Sequence, residues 1–155
     1  MVITESMIGR AFEIAKPAIE AILDAPEAVW GPRWVELKVM APGLETPGRH
    51  IFGSKTEWNP EWGEKLDFEK VMEYKFTTAR REKQNSSVTA SIKPWLLYEG
   101  EYLYAGAAYR DGITASASGA RGWADEAMSE ILIDIIIMLA HLEVDGRVSR
   151  HEMRI

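Results

Sequence analysis

The sequence predicts an α+β domain, a five-stranded and mainly antiparallel sheet flanked by helices. Three observations predict it. Apolar residues recur at helical spacing near the start, the middle and the end of the chain. Residues 34–40 alternate apolar and polar, as a strand with one wet face does. Asp111-Gly112 separates two short apolar runs, and glycine there accepts the positive φ that a tight primed turn demands.

Thr4 is placed to cap a first helix on which Met7, Ile8, Ala11, Phe12, Ala15, Ile19 and Ile22 share a face. That helix should end near Asp24, ahead of Pro26. In the strand at 34–40, Val35, Leu37 and Val39 oppose Glu36 and Lys38. The turn-rich stretch 41–48 returns the chain to a second strand at about 50–55. Residues 56–64 carry Trp58 and Trp62 among turn formers and read as a covering loop. A second helix follows over about 67–82, with Phe68, Val71, Met72, Phe76 and Ala79 on one side. Arg80 to Lys83 reads as its solvated end, where cations meet the negative pole of the helix dipole.

Strands are expected at 91–98 and 102–109, joined through Glu99 and Gly100, and a fifth at 113–118. The last helix starts near Trp123, with Asp125 and Glu126 where the dipole favours anions, and runs to about Leu142. Its expected core stripe is Met128, Ile131, Leu132, Ile135, Met138 and Leu139. Ile133 and Ile137 fall on a second row with Glu130 and His141. Two explanations are open: burial of that row by another subunit, or a helix enclosed on several sides in one core. Residues 1–142 thus form a single domain, and 143–155 a polar carboxyl-terminal tail.

At 155 residues, 46% hydrophobic and 27% charged, the chain has the make-up of one folded domain. Its formal charge of −6 speaks against a nucleic-acid partner, because phosphate binding needs clustered cations. Without cysteine, disulfides, thiolate metal sites and cysteine nucleophiles are excluded. The amino terminus lacks the basic start and apolar run of a secretory signal, and the apolar stretch 131–140 is too short to span a bilayer. A soluble cytoplasmic protein with no membrane partner is the expectation.

The order helix, hairpin, helix, hairpin, helix resembles the GlcG/HbpS-like, or haem-degrading-domain, family. Three stretches carry the likeness: residues 35–53 with their glycine-containing turn, the central-helix segment VMEYKFTTA, and residues 94–128. In the last, a proline-led strand, a Glu-Gly turn, a Tyr-Ala-Gly-Ala strand, a Ser-Gly and an acidic helix start follow in family order. The chain departs from the pattern at an extra turn over 109–113, at SSVTASIKPW in place of a glycine-rich loop, and at Phe76. The resemblance implies a profilin-like outline, assembly into homo-oligomers, and in some members binding of haem or a related tetrapyrrole. No axial ligand maps onto this chain.

Lys75 is the most informative ionisable residue. With Phe68, Met72 and Ala79 it falls at spacings of three and four, so its amine is rooted in an apolar stripe. Such an amine reaches an edge, pairs with a carboxylate or gives up its proton, which would make it a base or an anion anchor. It is the candidate catalytic residue. His50, at a strand start, lines a pocket, ligates iron, or is a satisfied hairpin residue. Ser116 and Ser118, with Gly119, Gly122 and Arg121, form a donor-rich passage that either holds a carboxylate or lets a helix pack closely. Tyr109, with Trp95, Tyr98, Tyr102 and Tyr104, is a wall for a flat ligand or an apolar contact. No histidine pair has metal-ligand spacing, so no metal is expected.

The expected function is a homo-oligomeric small-molecule-binding domain, assembled through the carboxyl-terminal helix. Its ligand, haem or another planar or anionic compound, would lie between the sheet and the second helix. Two alternatives stand beside it: an enzyme acting on a small carboxylate or ring-derived metabolite by acid/base proton transfer, and a partner-binding subunit.

Overall fold

The computed structural model describes residues 3–57, 67–101 and 104–150. Thr4 Oγ1 accepts the Met7 N–H at 3.2 Å and starts α1, Glu5–Leu23. A hairpin follows, β1 (Trp34–Met40) and β2 (Gly48–Gly53). Asp67 caps α2, Phe68–Glu82, and a short helix α3 occupies Ser86–Ile92. A second hairpin, β3 (Ala107–Arg110) and β4 (Ile113–Ser118), leads into α4, Gly122–Ser149. The expected tight turn is present: Arg110 pairs with Ile113, and Asp111 and Gly112 between them both have positive φ.

Among the described residues the sheet has four strands in the order β2-β1-β4-β3, every neighbouring pair antiparallel, which corrects the expected five-stranded, profilin-like sheet. The missing strand is the one expected at 91–98. Residues 86–92 are helical, Pro94–Leu96 make a single 3₁₀ turn, and Gly100 turns the chain at φ +85° with no strand beside it among the described residues. The cause is tertiary. Glu126, on α4, accepts the Ser87 N–H at 3.2 Å and the Ser87 hydroxyl at 2.6 Å, satisfying the first turn of α3. The strand expected at 102–109 begins only at Ala107, after Gly106 at φ +139°; Tyr102 and the loop tryptophans Trp58 and Trp62 lie outside the described residues.

Strand alternation separates two chemistries. Val35, Leu37 and Val39 join Ala115, Ala117, Phe52 and Ile113 against α1 and α4, forming the apolar core. The other face carries Glu36, Lys38, Thr114, Ser116 and Ser118, all buried, with α2 over β3 and β4. Glu36 and Lys38 are therefore not wet. Lys38 lies 4.3 Å from the Phe76 ring centroid and pairs with Glu73, while Lys55 and Arg49 pair with Glu36.

On α4, Met128 and Leu132 of the expected stripe are buried and Ile131, Ile135 and Leu139 pack against the core, but the most enclosed face is rotated from that stripe. Met128, Leu132, Ile133, Ile136 and Ala140 are buried, whereas Met138 is 42% and Leu142 56% exposed. Ile133 is enclosed by its own chain and Ile137 is packed against the same core, so one chain accounts for much of the second row. The helix also continues seven residues beyond Leu142, to Ser149. No helix among the described residues is long and apolar enough to cross a membrane.

Candidate functional site

Lys75 is seated where α2 crosses β4. Only 2% of it is exposed, and its ammonium takes the paired course among those open to a buried lysine. Nζ donates to Asp125 Oδ2 at 3.1 Å and to the Ala117 carbonyl at 2.6 Å. Asp125, also 2% exposed, stands in the first turn of α4, and its other oxygen accepts the Ala120 N–H at 3.1 Å. One carboxylate thus ties α2, the end of β4 and the start of α4 together. Burial pushes Asp125 up from 3.8 to about 6, against the pull of the Lys75 charge, the Lys75 hydrogen bond and the Ala120 N–H.

Gly106 makes room for the amine. A Cβ there would collide with Lys75 Nζ and Cε, and its φ of +139° is one that side chains rarely adopt. The Gly106 carbonyl accepts from Ala117 N–H and Ser129 Oγ, both at 2.9 Å, so the backbone that seats Lys75 is itself fixed. Beside it Glu126 is held by the Ser87 N–H and hydroxyl, Asn85 and the Gly106 N–H, without a paired cation among the described residues.

Above the pair opens a cleft of about 110 Å³. Its walls are Trp30, Phe68, Val71, Tyr104, Ala105, Ala120 and Ser118, with Lys75 and Asp125 in the lining. Arg121 is not in the lining but lies against the Trp30 wall, its guanidinium 4.3 Å from the ring centroid, and no side chain caps the amino end of α4 that follows. The cleft therefore offers flat apolar walls, one buried ion pair and a cation against one wall.

Of the residues singled out in the sequence, Lys75 and Ser118 share this cleft and Arg121 stands against its Trp30 wall. Ser116 lies deeper, its hydroxyl donating to the Met72 carbonyl at 3.1 Å. Tyr109 is half-buried on β3, beside a separate hollow lined by Asn85, Glu130 and Asp134. His50 is on the opposite face of the sheet, stacked on Phe12 at 5.3 Å and edge-on to Phe52 at 4.5 Å. It borders a groove of about 550 Å³ between α1 and β2, so His50 and Lys75 cannot touch one small ligand. Of the expected aromatic wall Tyr104 alone among the described residues reaches the cleft; Trp95 and Tyr98 are largely exposed. Arg81 is not a solvated helix end, since it binds Glu101 at 2.6 Å and the Leu96 carbonyl at 2.9 Å, and holds the Glu101 carboxyl below its usual range.

Sequence reasoning missed Asp125 as the partner of Lys75, and missed Gly106, Trp30 and Phe68. Asp125 read as a dipole acid, and any of 24 acidic residues was a formal candidate for Lys75. The glycine within the Tyr-Ala-Gly-Ala run was the one available signal, because a glycine inside an expected strand marks a close approach.

No protein-family model matches the chain, and a search of curated proteins gives no match. Among solved structures the fold is similar to that of the Ybr137w protein, with a TM-score of 0.57 at 17% identity over 84% of this chain and 77% of that one. At that identity the likeness concerns the fold alone. The chain shares the architecture of another small α+β protein.

Proposed function

We propose that this protein is a small-molecule-binding domain whose ligand enters the cleft between the sheet and α2. The observation that carries the reading is an amine–carboxylate pair, each residue 2% exposed, in the lining of a cleft walled by Trp30, Phe68 and Tyr104. Buried charges are expensive to maintain and are concentrated where function needs them. The walls suit a flat body, and Arg121, against the Trp30 wall, suits an anionic substituent.

The GlcG/HbpS-like resemblance suggests haem, but the proline-led strand of that pattern is absent and haem does not fit this cleft. Sites that enclose drug-sized ligands measure about 300–1,000 Å³, against about 110 Å³ here. An apolar cavity of about 150 Å³ takes up benzene, so the ligand class is a single ring or a unit of that size. Benzoate is a suitable probe. Titration should shift the amide resonances of Val71, Ala105 and Ala120, and Ser118→Leu, which fills the cleft, should abolish the shifts. Unchanged cleft resonances in wild type would refute the reading.

Assembly of copies through α4 belongs to the same proposal. Met138, Leu142 and Val148 remain exposed on a helix that is apolar on most sides. A second reading, proton transfer on a small carboxylate, is favoured by one observation: Asp125, raised to about 6, can exchange a proton near neutral pH beside Lys75. Turnover of a candidate substrate that survives Lys75→Met would remove that reading.

A further inference from the structure

Lys75 is a nucleophile as well as a cation, and its surroundings are those that lysine chemistry requires. A lysine reacts with a carbonyl carbon only when its nitrogen lone pair is free, and proteins free it by desolvation or by a neighbouring base. Both are present. The residue is 2% exposed, and the carboxylate against its Nζ is itself 2% exposed. Two of the three N–H positions are committed, to Ala117 O and Asp125 Oδ2. Once a proton passes to Asp125, the nitrogen has a lone pair while the Ala117 carbonyl still holds its orientation. Gly106 packs against Nζ and Cε and restricts the side chain to this position.

We infer that Lys75 captures small planar aldehydes in this cleft as an imine, with Asp125 as its proton acceptor and donor. The inference rests on the binding proposed above and adds a covalent step. Asp125 accepts a proton from the ammonium. The neutral nitrogen attacks the carbonyl carbon, a C–N bond forms, and the C=O π pair moves to oxygen, which takes a proton from the now cationic nitrogen. The resulting carbinolamine loses hydroxide as water, using the proton on Asp125, and the remaining N–H proton passes to the carboxylate as the C=N bond closes. The sum is amine plus aldehyde giving imine plus water, with no oxidant or reductant. The acceptor role is consistent with the upward displacement of Asp125 by burial. An aromatic aldehyde suits walls made of Trp30, Phe68 and Tyr104 around room for about one ring.

Reductive trapping tests this. The intact protein is incubated with limiting benzaldehyde and sodium cyanoborohydride, digested, and mapped by tandem mass spectrometry. The expected result is one N-benzyl group on Lys75, modified ahead of the exposed lysines, suppressed by excess benzoate, and slowed in Asp125→Asn relative to wild type. Benzyl groups on exposed lysines with Lys75 spared would overturn the inference. Because the site is mapped in wild-type protein, an Asp125→Asn variant that fails to fold does not affect the outcome. Benzoate, which has the ring but no electrophilic carbonyl, separates the two levels. Benzoate shifts without a Lys75 mark defeat only the imine step, whereas absence of both defeats the binding proposal as well.

Discussion

Removing the Asp125 charge is the most informative perturbation of the buried pair. Asp125→Asn keeps an oxygen for the Ala120 N–H and changes little in volume, so it isolates the charge. At 3.1 Å the attraction between Lys75 and Asp125 is about 5 kcal/mol at an effective dielectric near 20. The upward displacement of Asp125 from 3.8 to about 6 means that desolvation of the ionised carboxylate outweighs the Lys75 attraction and the hydrogen bonds from Lys75 and Ala120 together, by roughly 3 kcal/mol. The pair is therefore a poor source of net stability, but either half left alone is worse. Asp125→Asn and Lys75→Met should each lower stability, the first by about 3–5 kcal/mol because it strands a buried ammonium. The double variant Lys75→Met/Asp125→Asn should recover most of that loss, because no unpaired charge remains and the Asn oxygen still accepts the Ala120 N–H. Urea denaturation of the four proteins at pH 7 closes the cycle. If Asp125→Asn lost less than about 1 kcal/mol, the ammonium would have to be in contact with water, and the reasoning would fail.

Three further predictions follow from the same geometry. Because the folded-state pKa of Asp125 is raised, the folded protein holds the proton more tightly, so this group's contribution to stability is full below pH 3.8 and lost as pH rises towards about 6. Glu101, held low by Arg81, acts in the opposite sense, so the Asp125 part is the pH-dependent difference between wild type and the Lys75→Met/Asp125→Asn variant. Gly106→Ala should destabilise by more than the roughly 1–3 kcal/mol of backbone strain, and the excess should vanish in a Lys75→Ala background, where the colliding amine is gone; equal losses in both backgrounds would contradict the seating of Lys75 against Gly106. Ile133→Glu should unfold the protein, whereas Leu142→Glu should leave circular dichroism intact and reduce the sedimentation coefficient; an unaltered sedimentation profile would count against assembly through this face of α4.

Local signals were sufficient wherever a sequence neighbour supplies the stabilising group. Thr4 and Asp67 cap their own helices, β1 was legible from its alternation, and Asp111-Gly112 forms its own turn. Reading failed where the partner is distant. The strand expected at 91–98 is absent: residues 86–92 form a helix whose first turn Glu126 satisfies from 39 positions away, and Pro94–Leu96 make a 3₁₀ turn. The stripe expected on α4 holds except at Met138, but with apolar residues on most sides of the helix nothing local marked Ile133 and Ile136 as fully enclosed or Met138 as exposed. At the site, the oily seat of Lys75 was visible in its spacing, but its carboxylate was not, because a pair 50 residues apart leaves no local pattern. The wet face expected of β1 was an alternation correctly read and wrongly assigned to solvent; α2 and the ion pairs of Glu36 and Lys38 cover it.

The state of the Lys75 amine is directly measurable by ¹H–¹⁵N correlation of lysine side-chain nitrogens near pH 6. An enclosed ammonium paired with Asp125 gives a slowly exchanging Nζ resonance that disappears in Lys75→Met and shifts in Asp125→Asn. If no resonance assignable to Lys75 exchanges more slowly than those of the exposed lysines, the amine is in solvent, and both the cleft chemistry and the functional proposal built on it are wrong.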